Sequence, residues 1–107
     1  MSEGTQVDLC GTDELAIGDR RRFMLECGPI CLVRLRDRFA AVADTCSHED
    51  FPLSEGEVEL DDCLIECWKH GSMFSLVTGE PESFPATQPV AVYPVSVEND
   101  RVCVRIP

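Results

Sequence analysis

Two short stretches hold the residues best suited to chemistry: Cys46-Ser47-His48 and Cys67-Trp68-Lys69-His70. In each, one thiol is followed within three positions by one imidazole, and residues 49–66 lie between the two pairs. Thiolate sulfur and imidazole nitrogen are soft and borderline metal donors. Two such segments lying side by side offer four ligands to one metal site. Two Cys and two His are also a common tetrahedral zinc set. Zinc fingers usually place the two Cys together and the two His together, whereas here each pair is mixed.

The elements that must position these residues read as strands and turns. Arg20 to Glu26 and Ile30 to Arg36 flank the turn signal Cys27-Gly28-Pro29, which predicts a hairpin. Phe39 to Ala43 reads as the next strand, entered by a turn at Asp37-Arg38. Val58 to Leu60 and Cys63 to Glu66 flank Asp61-Asp62, and Met73 to Val77 runs into the reversal Thr78-Gly79-Glu80-Pro81. Val92 to Val97 and Val102 to Ile106 alternate apolar and polar around Glu98-Asn99-Asp100, a closing hairpin. Each Cys–His pair therefore falls where a strand gives way to a connecting segment.

Helix signals are thin. Thr12-Asp13-Glu14-Leu15 caps one short turn at most. Pro81, Pro85, Pro89 and Pro94 exclude a long helix near the C-terminus. Many strands at short intervals predict an all-β chain, an antiparallel β-sandwich or small barrel. A chain of 107 residues sets a prior of one domain, 1–107. The stretch from about 44 to 86 is richer in Cys, His, Gly and Pro than its flanks and reads as a specialised subdomain.

Charge narrows the function classes. Nine Lys and Arg face twenty Asp and Glu, a formal net charge of -11. So acidic a surface repels phosphate backbones and anionic headgroups, which argues against nucleic-acid and membrane partners and suits a basic protein partner. The N-terminus lacks the basic start and apolar core of a signal peptide, and no apolar run approaches the roughly 20 residues of a membrane helix. A cytoplasmic location is expected. The seven cysteines form an odd count without a secretion signal, the pattern of reduced thiols rather than a disulfide framework. Cys63, whose alternation with Ile65 and Cys67 suggests a shared strand face, is a small buried hydrophobe or a reserve ligand, and Cys27, Cys31 and Cys103, with no His nearby, are expected to be structural.

With these residues in view, the sequence resembles the Rieske ferredoxin family, whose motif is Cys-x-His, a spacer of this length, then Cys-x-x-His. The match extends to Leu53-Ser54-Glu55-Gly56, His70-Gly71-Ser72-Met73-Phe74, Thr78-Gly79-Glu80-Pro81, Pro85-Ala86-Thr87-Gln88-Pro89 and Val92-Tyr93-Pro94-Val95. It covers about Leu15 to Ile106. The resemblance implies a Rieske-type sandwich or barrel with a small cluster-binding subdomain and one [2Fe–2S] cluster. Cys46 and Cys67 would hold the inner iron, and His48 and His70 the outer, more exposed one. Neutral imidazoles in place of two thiolates leave the cluster less negative, so adding an electron costs less than in an all-cysteine cluster.

The resemblance also sets expectations for the cluster's surroundings. High-potential respiratory members carry one further Cys in each ligand loop, joined as a disulfide, and this chain has no Cys at those positions. Ser72 matches a serine whose hydroxyl bonds a sulfur, while Phe74 stands where a tyrosine hydroxyl would be. Fewer donors predict the lower part of the Rieske range, roughly −150 to 0 mV. Gly71 either brings its N–H to the cluster or simply makes a turn. Phe84-Pro85-Ala86 resembles a loop shielding the cluster, and Trp68 sits either at the rim or packed beneath it.

No substrate pocket or nucleophile with a base is legible, so the expected role is a one-electron carrier, not an enzyme. The resemblance is to the ferredoxin component of bacterial ring-hydroxylating dioxygenases, between a flavin-dependent reductase and a terminal non-haem iron oxygenase. Glu49, Asp50 and Glu55 would steer it toward a basic patch. Two alternatives stay open: a Rieske protein of iron–sulfur cluster assembly, and a zinc-stabilised interaction module.

Overall fold

A computed structural model describes residues 5–26, 28–44, 52–67, 71–82 and 88–106. In chain order the strands are β1 (Thr5–Gly11), β2 (Arg20–Leu25), β3 (Gly28–Arg34), β4 (Phe39–Ala43) and β5 (Val58–Glu59). They continue with β6 (Leu64–Glu66), β7 (Met73–Ser75), β8 (Val92–Tyr93), β9 (Val95–Glu98) and β10 (Arg101–Ile106). A 3-10 helix over Leu53–Glu55 is the sole helical element among the described residues. No helix among them is long and apolar enough to cross a membrane. Every strand pairing is antiparallel, in three sheets of order β1-β10-β9, β2-β3-β4-β8 and β5-β6-β7. The all-β expectation is borne out.

The β2-β3-β4-β8 sheet is the middle layer, and its sequence explains why. The run Ile30-Cys31-Leu32-Val33 is apolar without alternation, and all four side chains are fully buried. Side chains on a strand point alternately to opposite faces. Ile30, Leu32 and Ala41 therefore meet Cys10, Leu15, Val102, Val104 and Ile106 from the β1-β10-β9 side. Cys31, Val33, Ala40 and Val42 meet Leu53, Ile65, Cys67, Phe74 and Leu76 on the other side. One strand thus feeds two cores, and each fully buried aliphatic contributes about 1.5–3 kcal/mol of transfer free energy.

Several expectations are sharpened or corrected. The hairpin at residues 26–29 forms with Leu25 opposite Gly28, and β4 has the expected bounds; Cys27 lies outside the described residues. The run Val92 to Val97 is two strands, not one. Pro94 has no N–H to continue a ladder, and the chain changes sheets there, β8 pairing with β4 and β9 with β10. Asn99 and Asp100 both take positive φ, 52° and 64°, which is the backbone of a tight hairpin turn. Cys63 stands in the β5–β6 turn with φ 55°, not in a strand, though it still packs against the core around Cys67. Met73 to Val77 is shorter as a strand than expected, ending at Ser75.

Thr12 to Leu15 forms a turn without a helix, in which Gly11 N–H donates to Glu14 Oε2 at 2.9 Å. β1 had no counterpart in the expected strands. It carries a bulge between Asp8 and Cys10, so that Leu9 and Cys10 both reach the core and the period of two is broken.

Candidate metal centre

The second Cys–His pair begins at the end of β6. Ile65 and Phe74 face each other across β6 and β7, and Glu66 faces Met73. The next rung is closed by Cys67 N–H donating to Ser72 O at 2.7 Å. Gly71 N–H donates to Cys67 O at 2.8 Å with φ 76°, a conformation that favours glycine. Gly71 therefore makes a turn, and its N–H is engaged by the Cys67 carbonyl. Cys67 is fully buried in the apolar core with Leu53, Ile65 and Phe74. Ser72 and Phe74 are fully buried as well.

Past β7 the chain reverses, with Ser75 N–H on Glu80 O and Phe74 bridged to Pro81. Glu82 N–H donates to Met73 O, and Val90 N–H to Gly79 O. Both ends of the segment 83–87, which holds Pro85, are thereby tied to the β7 hairpin. A Cβ at Gly79 would lie 2.1 Å from Val90 O, so that residue can only be glycine in this packing.

The first pair lies between β4 and the 3-10 helix. Asp44, the first residue after β4, is almost completely buried. Its carboxylate accepts from Ser54 N–H at 2.6 Å and from the Ser54 hydroxyl at 2.7 Å. Arg22 Nε lies 3.5 Å from the same carboxylate, and Arg20 Nε donates to Ser54 O at 3.1 Å. Arg20 and Arg22 share one face of β2 by alternation. The two ends of the segment holding Cys46 and His48 are thus joined to each other and to β2.

A further contact connects the two segments. Glu66 N–H donates to Glu57 O at 2.8 Å, and Gly56 approaches so closely that a Cβ there would sit 1.5 Å from Glu66 O. Gly56 ends the return from the first segment, and Glu66 immediately precedes Cys67.

Of the expected site residues, the structure gathers Cys67, Gly71, Ser72 and Phe74 at the β6–β7 hairpin. Cys46, His48, Trp68, His70 and Pro85 lie outside the described residues, as do Glu49 and Asp50. Glu55 is described and exposed. Among the described residues no three Cys, His, Asp or Glu side chains converge on one point. Sequence reasoning passed over Asp44, Arg20 and Arg22, and it named Ser54 and Gly56 only within a matching segment, without a role. The available signal was an acidic residue ending the apolar run Ala40–Ala43, which is unusual unless its charge is matched.

Cys10, Cys31 and Cys103 are buried as small apolar residues, and Cys63 packs against the core. Cys10, Cys31, Cys63 and Cys103 form no disulfides. Burial, then the nearby Asp44 carboxylate, pushes the Cys31 thiol far above its ordinary value.

The Rieske [2Fe-2S] domain model matches residues 5–94. The chain belongs to the Rieske [2Fe–2S] family. The ferredoxin component of biphenyl 2,3-dioxygenase from Rhodococcus jostii (strain RHA1) is 38% identical over 96 residues, 90% of this chain and 88% of that relative. Among solved structures, the ferredoxin of carbazole 1,9a-dioxygenase from Nocardioides aromaticivorans IC177 superposes with a TM-score of 0.92 at 29% identity, covering 96% of this chain and 99% of its own. A chain from a complex of reduced oxygenase and oxidised ferredoxin in carbazole 1,9a-dioxygenase gives a TM-score of 0.85 at 35% identity, covering 92% and 99%. This Rieske chain is a ferredoxin-type electron carrier with a [2Fe–2S] cluster. The donor chemistry fits that group. Cys67 offers a sulfur donor at the end of β6, buried in the core beside a buried serine, and sulfur is the donor such clusters take from the protein.

Proposed function

We propose that Cys46, His48, Cys67 and His70 hold the cluster, and that the protein carries single electrons from a flavin-dependent reductase to a terminal non-haem iron oxygenase. The observation that carries this reading is Cys67. It is a fully buried thiol on a hairpin whose base is hydrogen-bonded to the return of the segment bearing Cys46 and His48. The partner assignment is supported by the relative that is a biphenyl dioxygenase ferredoxin component, and by the similar chain found in complex with an oxygenase.

When bound, the cluster would supply a one-electron redox couple. The chain's own residues do the rest. Phe74 and Leu53 pack in the core around Cys67 and exclude water there, the Ser72 hydroxyl would donate to a cluster sulfur, and Phe74 has none to offer. That balance supports a potential in the lower Rieske range, about −150 to 0 mV. Glu55 and the net charge of -11 favour a basic partner surface, with steering that weakens as salt rises. The protein has no catalytic site of its own and works in the cytoplasm, without nucleic-acid or membrane partners. Residues 1–107 act as one domain, with about 44–86 as the cluster-binding subdomain. The apolar core shared by the middle sheet and β6–β7 supports their belonging to one domain.

The test is anaerobic purification with iron and sulfide analysis, followed by EPR of the reduced form. Two irons and two sulfides per chain with a Rieske spectrum are expected, and His48→Ala and His70→Ala should each abolish that spectrum. A colourless protein with stoichiometric zinc, or variants that keep the spectrum, would refute the assignment.

A further inference from the structure

Asp44 is the most deeply buried charged residue among the described ones, and nothing in its local sequence requires it to be acidic. Its carboxylate has three partners: Ser54 N–H at 2.6 Å, the Ser54 hydroxyl at 2.7 Å and Arg22 Nε at 3.5 Å. Its own N–H donates to Pro29 O at 3.0 Å, which anchors it to the start of β3. Ser54 is held from the far side by Arg20 Nε on its carbonyl. Buried carboxylates are costly to retain unless their partners are well placed. Here the partners belong to β2 and the 3-10 helix, and between Asp44 and Ser54 the sequence places Cys46 and His48. We propose that Asp44 is a positioning residue whose lock on Ser54 keeps the Cys46–His48 segment in ligating geometry and so governs how long the cluster is retained.

This rests on the reading that Cys46 and His48 are ligands. The physical step is simple. The tie joins Asp44 to Ser54, and removing a charge-assisted bond weakens the hold on the stretch between them by the factor that bond contributed. The cost of losing Asp44 therefore appears in the cluster's off-rate before it appears in the melting of the sheets, because the core on the far face of β3 does not include Asp44.

The experiment uses the holoprotein and follows bleaching of its visible absorption under excess chelator, with EPR of the reduced form and melting temperature recorded alongside. Asp44→Asn keeps the shape and removes the charge, and bleaching should quicken by on the order of tenfold or more. Ser54→Ala removes one hydroxyl and should give about fivefold. Ser54→Thr keeps the hydroxyl and should restore the wild-type rate. Val104→Ala opens a gap in the opposite core, where Val104 is fully buried. It should lower the melting temperature yet leave bleaching within about twofold of wild type. If Asp44→Asn does not accumulate, the two Ser54 variants against Val104→Ala still decide the matter. Bleaching rates that follow melting temperature across all the variants, or a Ser54→Ala protein as slow as wild type, would overturn the proposal. Failure of the ligand assignment would look different: His48→Ala would keep the Rieske spectrum whatever Asp44 does.

Discussion

Replacing Gly56 with alanine tests whether the two Cys–His segments are registered to each other by backbone contact. At φ -90° and ψ -178° the residue is in extended backbone that any amino acid adopts, so the substitution introduces no conformational strain of its own. The obstacle is steric. The new methyl would lie 1.5 Å from Glu66 O and 2.8 Å from Glu66 C, whereas real Cβ contacts essentially never fall below 3.0 Å. The two chains must part by about 1.5 Å at a point where both sides are backbone and neither can rotate away.

That movement breaks the Glu66 N–H to Glu57 O bond, about 1 kcal/mol net. It also displaces Ile65 and Cys67 within a filled core, about 1–3 kcal/mol. A total of about 3 kcal/mol corresponds to a fall of roughly 13 °C for a domain of this size. Because the displacement lands on the residue before Cys67, iron content should fall with it. Gly28→Ala is the matched control. Its φ is 117° and nothing lies within 4 Å of the added methyl, so it costs backbone strain alone, about 1 kcal/mol or roughly 5 °C, with iron content unchanged. Thermal unfolding by circular dichroism and iron analysis provide both readouts. A Gly56→Ala protein that melts within about 3 °C of wild type and retains full iron would refute the reasoning.

Two further outcomes follow from the same structure. Phe74→Tyr places a hydroxyl at a fully buried position in the core around Cys67. If that hydroxyl donates to a cluster sulfur, one bond of about 1 kcal/mol should raise the potential by about 40 mV in film voltammetry, and an unchanged or lower value would count against Phe74 as a determinant of the potential. The Glu14 carboxyl is held below its ordinary value of 4.5, first by the Gly11 N–H and then by Arg21. With the folded value depressed, its stabilising effect is present above about pH 4.5 and is lost as pH falls through the folded value. Glu14→Gln should therefore flatten the decline of melting temperature below that pH, and an acid limb as steep as wild type would contradict this.

Local pattern carried a good part of this protein. The mixed Cys–His pairs are chemistry that few other arrangements explain, and residue types at short spacing are readable without any fold. The hairpins at Gly28-Pro29, Asp61-Asp62 and Asn99-Asp100 were legible because turn residues and strand alternation act over a few positions. The length of Val92 to Val97 misled because alternation does not report a change of sheet, which Pro94 permits and two different partners impose. β1 was invisible because its bulge interrupts the period by which strands are found.

What the tertiary structure alone decided are contacts between segments far apart in sequence. Nothing near Asp44 announces that Ser54 and Arg22 will meet its carboxylate, and nothing near Gly56 announces that Glu66 will leave no room for a methyl. Which residue types can hold iron is a matter of side-chain chemistry, which a sequence states outright. The contacts that bring Ser54 to Asp44 and Gly56 to Glu66 depend on strand pairing and burial, and those are properties of the folded chain as a whole.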